Sequence, residues 1–188
     1  MTIIANTMTT KIKSSTSDSM GRWTKVLFHA KGESIALYTI YRPNPNSMKN
    51  AGGDTVWMQQ KRELDKAKEP KEDPRKQMII DLTEDIISGI NQNVKPIVAG
   101  DFNEDFTDEE HIGLQHLLEE CDLVNAFEYR HGFIPSTRNN TRAIDHILVH
   151  RSLQHNITKA GINPQEIGFS TSDHRGIFID FKPSVLDT

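Results

Sequence analysis

The stretch Pro96-Ile97-Val98-Ala99-Gly100-Asp101-Phe102-Asn103 decides the fold. It begins as a short continuous apolar run, the pattern of a strand buried on both faces, and ends with two polar side chains set directly after that strand. Upstream, Asp73-Pro74 is a helix start, with an acceptor at the N-cap and proline at the first helical position. Ile79, Leu82, Ile86 and Ile90 follow at helical spacing, so residues 74–92 are predicted to form an amphipathic helix laid on a sheet. Downstream, Thr107-Asp108-Glu109-Glu110 has the form of a capping box, and Leu114, Leu117, Leu118 and Cys121 mark the helix it opens. Residues 144–149 and 176–181 read as further strands, with Ile177, Ile179 and Phe181 on one face by period two. Toward the N-terminus, residues 23–29 and 34–41 are rich in β-branched and aromatic side chains. Ala30-Lys31-Gly32-Glu33 between them suits a hairpin loop, and Arg42-Pro43-Asn44-Pro45-Asn46 ends the second run. Residues 1–20 read as a poorly ordered tail or a frayed strand, and residues 47–75 as a long loop or short helix near a functional surface. Strands and helices alternate without a repeat, which makes the chain an α/β layered sandwich.

Length and composition set outer bounds. The 188 residues fit one domain, taken as residues 21–183 behind a tail of 1–20. Ile, Leu, Val and Phe number 46, enough for a lean core. The single Cys121 excludes an internal disulfide framework and any all-cysteine zinc site. No signal peptide is visible and no window approaches about 18 apolar residues, so an intracellular setting, nucleus or cytoplasm, and no membrane partner are expected. The net charge of −4 hides segregation: residues 1–78 carry +6, residues 79–128 carry −12 and residues 129–188 carry +2. Basic flanks of this kind suit a phosphate-bearing ligand; a solvated acidic helix with no ligand produces the same pattern.

The polar residues that matter fall at strand ends. Asp101 and Asn103 follow one strand, Asp145 begins another, and Ser172-Asp173-His174 precede a third. In layered α/β folds these ends carry ligand chemistry, because the loops expose polar groups while the sheet fixes their geometry. Each residue has a plainer reading alone. Asp101 and Asn103 are turn formers, Asp145 can cap a strand or pair with Arg142, and His174 can be a surface histidine. Together they suit phosphodiester hydrolysis, which needs carboxylates for a hard divalent cation, a base for water and donors for the phosphate oxygens. No Gly-x-Ser-x-Gly elbow supports a serine hydrolase. His111, His116, His131, His146, His150 and His155 lack metal-ligand spacing and read as non-catalytic.

Gly100-Asp101-Phe102-Asn103, Ile144-Asp145-His146-Ile147 and Ser172-Asp173-His174-Arg175 resemble, in order and spacing, the motifs of the endonuclease/exonuclease/phosphatase superfamily. Ile40-Tyr41-Arg42-Pro43 resembles a fourth motif. Gly21-Arg22-Trp23, Gln59-Gln60 and Asp73-Pro74-Arg75 look closest to retroelement endonuclease domains. The resemblance implies a DNase I-like sandwich of two β-sheets flanked by helices. It implies that Asp101 activates water or protonates the leaving oxygen, Asn103 orients water or phosphate, and Asp145 holds His174 against the phosphate. Tyr41 would donate to phosphate and Asp173 would bind the metal. Complete members begin with a strand ending in Asn and a second ending in the principal metal-binding Glu. Upstream of Tyr41 this sequence offers only Asn6 and Glu33, without the flanking residues of those motifs.

The sequence therefore reads as a domain incomplete at its N-terminus, with Mg²⁺ or Mn²⁺ bound weakly. Three functions compete: a metal-dependent endonuclease acting on DNA, weakened or inactive as this chain; a non-catalytic remnant that binds nucleic acid or protein; and a phosphoesterase for lipid or inositol phosphates. Strands missing from one layer would leave residues 22–41 as an unprotected edge or face, open to a partner or to self-association.

Overall fold

The computed structural model describes residues 2, 4, 6–30, 33–45, 54–67, 73–108, 113–138, 141–163 and 172–185. The elements in chain order are β1 (Ile12–Ser17), β2 (Trp23–Ala30), β3 (Glu33–Tyr41), α1 (Val56–Lys66), α2 (Pro74–Ile90) and β4 (Val94–Asp101). They continue with α3 (Gly113–Glu120), β5 (Leu123–Asn125), α4 (Ala126–His131), β6 (Asp145–His150), β7 (Ile157–Ile162) and β8 (Ile177–Phe181). A six-stranded sheet runs β1-β2-β3-β4-β6-β5, and β7 and β8 form a second, two-stranded sheet. Within the large sheet β3 and β4 are parallel and the other neighbours antiparallel. This is the mixed α/β sandwich of two sheets and flanking helices that the sequence predicts.

The large sheet is covered on both faces, which explains the unbroken apolar run in β4. On one face Ala36, Tyr38, Ile40, Val98 and Leu148 meet Met78, Ile79, Leu82 and Ile86 of α2 and Leu114 and Leu117 of α3. On the other, Ile35, Ile97, Ile147 and Val149 meet Phe127 of α4 and Ile157, Ala160, Ile177 and Ile179 of the small sheet. The N-cap of α2 works as its sequence suggests: the Asp73 carboxylate accepts from the Arg75 and Lys76 amides. Polar ties add to the docking of α2. Arg22 bridges to Asp81 at 2.6 Å, while the Lys25 ammonium and the Tyr38 hydroxyl both donate to Asp85.

Gly100 is fixed by contact. Its φ is +147°, and a Cβ there would lie 2.1 Å from the Ile40 carbonyl oxygen of the neighbouring strand, so no other residue fits.

Several expectations need correction. The first twenty residues are not simply a tail, because Ile12–Ser17 pair with β2 as an edge strand after a short 3₁₀ turn at Asn6–Lys11. Residues 22–41 are consequently not the sheet edge. β2 is paired on both sides, and the Thr2 hydroxyl reaches Thr24 and Thr39 across them. Within 47–75 the short-helix alternative holds: α1 forms after Thr55, whose side chain accepts from the Met58 amide. In the capping-box stretch the Thr107 hydroxyl donates to Asp105. Glu109 and Glu110 lie outside the described residues, as do Lys31 and Gly32 of the hairpin loop and Gly52-Gly53. Among the described residues no helix is long and apolar enough to cross a membrane.

Candidate active site

Sheet register assembles half of the site. Tyr41 of β3 is the partner of Asp101 of β4, and Asp101 is the partner of Asp145 of β6, so the three form one transverse row at the end of the large sheet. By period two each shares its face with Leu37, Ile97 and Ile147 respectively, the face that carries the small sheet. The second half comes from that layer: His174 stands just ahead of β8, and its Nδ1 lies 2.9 Å from Asp145 Oδ2 and 3.2 Å from Oδ1. A carboxylate accepting from Nδ1–H fixes the orientation of the ring and turns Nε2 toward the site.

Asp101 is the strained member. Burial, and then the charge of Asp145, raise its carboxyl above the ordinary value near 3.8, against hydrogen bonding from the Asn103 amide and the charges of His174 and Arg138. Asn103 is buried with φ of 47°, a left-handed turn that asparagine tolerates. That turn brings its backbone N–H to Asp101 Oδ1 at 2.9 Å and its Nδ2 to the Arg42 carbonyl at 2.7 Å. Tyr41 is 41% exposed, and burial together with the Asp101 charge raises its phenol, which keeps it a proton donor. Asp173, expected to bind the metal, lies on the Arg138 side of His174. It is exposed and accepts from Arg138 Nε at 2.8 Å, which lowers its carboxyl, and its Oδ1 lies 3.9 Å from His174 Nε2. The donor atoms of Asp101, Asp145 and His174 lie within 4.8 Å of one another.

Glu33 is excluded from this centre by position, since it opens the strand that Tyr41 closes, about 26 Å away at the usual strand rise. Arg142, the alternative partner for Asp145, pairs instead with Asp108. His146 is fully buried between Phe102 and Phe106, with Nε2 donating to the Glu104 carbonyl at 2.9 Å. Burial lowers its pKa to about 4, the behaviour of a core histidine.

Sequence reasoning missed the residues that hold these groups in place. The Thr137 hydroxyl accepts from the Ile144 and Asp145 amides, and the Thr137 carbonyl accepts from the Arg175 amide, so one buried threonine joins the Asp145 strand to the His174 segment. Beneath Asn103, Arg42 pairs with Glu104 in the interior, and Arg75 donates to the Pro43 and Asn103 carbonyls. Glu104 also accepts from the Leu114 amide, capping α3 from outside the helix. Only the unusual charge density of Tyr41-Arg42 and Asn103-Glu104 at strand ends could have signalled this network.

A sequence profile described as the Endonuclease/Exonuclease/phosphatase family matches residues 20–174. No curated protein sequence matches the chain. Among solved structures the chain is similar to a 3′ phosphatase, NExo, from Neisseria bound to a product DNA hairpin, at 14% identity and a TM-score of 0.59, over 91% of this chain and 71% of that one. It is similar to the AP endonuclease LMAP of Leishmania major at 16% identity and a TM-score of 0.58, over 87% of this chain and 55% of that one. It is also similar to the endonuclease domain of TRAS1, a telomere-specific non-LTR retrotransposon, at 14% identity and a TM-score of 0.52, over 91% and 68% of the two chains. These likenesses concern the fold, and the chain spans only part of the length of each. With the profile match across most of its length, the chain belongs to the endonuclease/exonuclease/phosphatase family.

Proposed function

We propose that this chain is a phosphoester hydrolase acting on DNA, an endonuclease that works with Mg²⁺ or Mn²⁺ and only slowly by itself. The observation that carries the reading is the Asp145–His174 pair meeting the Tyr41–Asp101–Asp145 row. Asp145 holds Nδ1 of His174, which turns Nε2 toward a phosphate oxygen. Asp101, with its raised carboxyl, is the better proton acceptor for an attacking water. As the water oxygen bonds to phosphorus and the ester P–O bond breaks, the water proton passes to Asp101 and the departing oxygen takes a proton from His174. Tyr41 donates to a non-bridging oxygen, and Asn103 keeps the Asp101 carboxylate aimed.

Asp101 and Asp145 would hold the cation, which leaves His174 for the phosphate. Two carboxylates crowded enough to raise one of them fit a divalent ion, and Mg²⁺ is normally held by one or two carboxylates together with substrate phosphate. When bound, the cation supplies charge neutralisation at the phosphate oxygens. The same requirement for phosphate makes metal binding weak in the free chain.

A second reading, a DNA-binding module without catalysis, is favoured by the small sheet, which has two strands beside a six-stranded partner. Nicking of supercoiled plasmid separates the two. Slow nicking that needs Mg²⁺, stops with EDTA and falls at least about a hundredfold in Asp101→Ala and His174→Ala is the expected result. Duplex binding with no nicking assigns the module; nicking that survives both substitutions overturns the site. Abasic DNA, RNA and sphingomyelin in parallel separate the substrate classes.

A further inference from the structure

Arg138 lies beside the row of site residues and takes no part in the mechanism above. Its backbone is fixed on both sides by isolated bridges to Arg142 and to His174, so the residue stands next to the imidazole. Its Nε donates to Asp173 at 2.8 Å, and Nη1 and Nη2 donate to no described residue. The side chain is about one-third exposed. Its charge acts to lower the carboxyl of Asp101 and the phenol of Tyr41, so it is felt along the same row. Of the neighbouring arginines, Arg42 and Arg75 are buried on Glu104 and on carbonyls and Arg142 holds Asp108, while Arg175 Nε is buried without a partner among the described residues.

A guanidinium has donors on three nitrogens in a rigid fork, and anchoring Nε leaves the two terminal nitrogens as a pair whose spacing matches two oxygens of one phosphate. An anion beside Nε sets the plane of the fork and costs no phosphate-facing donor. We infer that Arg138 binds a phosphate of the substrate through its terminal nitrogens, and that Asp173 is the residue that orients it. This rests on the reading of the site as a phosphoesterase and adds a binding residue to it. Asp173 then serves the site through Arg138 in place of the metal.

The test is binding of a short fluorescein-labelled DNA duplex to the full chain, without metal so that no cleavage competes, over a series of KCl concentrations. Arg138→Gln is expected to weaken binding about tenfold or more and to reduce the slope of log K against log salt by about 0.9, one phosphate contact. Arg138→Lys is expected to keep the slope, since the charge remains, while losing several-fold in affinity with the fork. Unchanged urea midpoints show that both variants fold. Asp173→Asn is expected to leave Mn²⁺ affinity, read from water proton relaxation, within about twofold of the parent, whereas Asp101→Asn lowers it. Equal affinity and slope in the parent and Arg138→Gln overturn the proposal even if the chain cleaves DNA. So does a Mn²⁺ affinity that collapses in Asp173→Asn. If the parent binds no duplex, inorganic phosphate is titrated against the Arg138 Nε–H resonance, assigned by its absence in Arg138→Lys. A shift there upholds the phosphate site while the DNA reading falls, and no shift ends both.

Discussion

Asp101 carries a cost that its neighbours do not relieve. It is partly buried, faces another carboxylate, and has its proton affinity raised as a result. An acid raised in the folded state lends stability below its ordinary value near 3.8 and loses it as the pH rises through the folded value. At neutral pH Asp101 therefore opposes folding. Asp101→Asn keeps the acceptor oxygen for the Asn103 amide and removes the charge. We expect that variant to be more stable at pH 7 by about 1 kcal/mol, a rise of roughly 2–4 °C in Tm, with the gain vanishing at low pH as both side chains become neutral. Thermal melts at the two pH values check this, and no gain at pH 7 would show that the carboxylate is better solvated than its burial implies. The position of Asp101 after an apolar run was legible in the sequence. Its tension with Asp145 was not, because it depends on a strand pairing 44 residues away in sequence.

Among elements, the helices and central strands were readable because their signals are local. Asp73-Pro74 caps α2 as written, and Ile177, Ile179 and Phe181 alternate as a half-buried strand should. The start of α3 also rests on a contact that is not local. Its buried cap is Glu104, ten residues before Leu114 and outside any capping-box spacing, and Glu104 is tied to Arg42 of another strand end. Gly113 sits directly against that pair, with a Cβ there 2.7 Å from Glu104 Oε2, so the helix, the ion pair and the turn at Asn103 form one unit. Removing one partner of a buried pair strands the other charge. Glu104→Gln is expected to destabilise the chain by about 3–5 kcal/mol in urea denaturation. A loss below about 1 kcal/mol would show that Arg42 finds solvent or another acceptor. β1 was legible only as one of two alternatives, a frayed strand or a tail, since its exposed, polar residues carry no apolar alternation and pairing with β2 defines it.

For the whole molecule, the charge segregation seen in the sequence turns out to be largely an internal matter. The acidic segment 79–128 meets the basic flanks through Arg22–Asp81, Lys25–Asp85, Arg42–Glu104 and Arg142–Asp108, each pair joining the middle to one flank. What the sequence presented as a possible ligand signature is in large part the glue between layers. Layer thickness also grades the stability. β3, β4 and β6 have apolar cover on both faces, while β1 is an edge and β7–β8 is a two-stranded ribbon. Native-state hydrogen exchange should be slowest in β3, β4 and β6 and faster by about 10-fold or more in β1 and β7–β8. Uniform protection would mean that the two layers unfold as one.

Because Asp145 and His174 come from different layers, their contact exists only while those layers are seated on each other. The pair behaves as a coincidence detector: a chain whose small sheet has lifted keeps most of its secondary structure yet presents the Tyr41–Asp101–Asp145 row without its histidine. Loss of the assembled site would thus run ahead of loss of the fold.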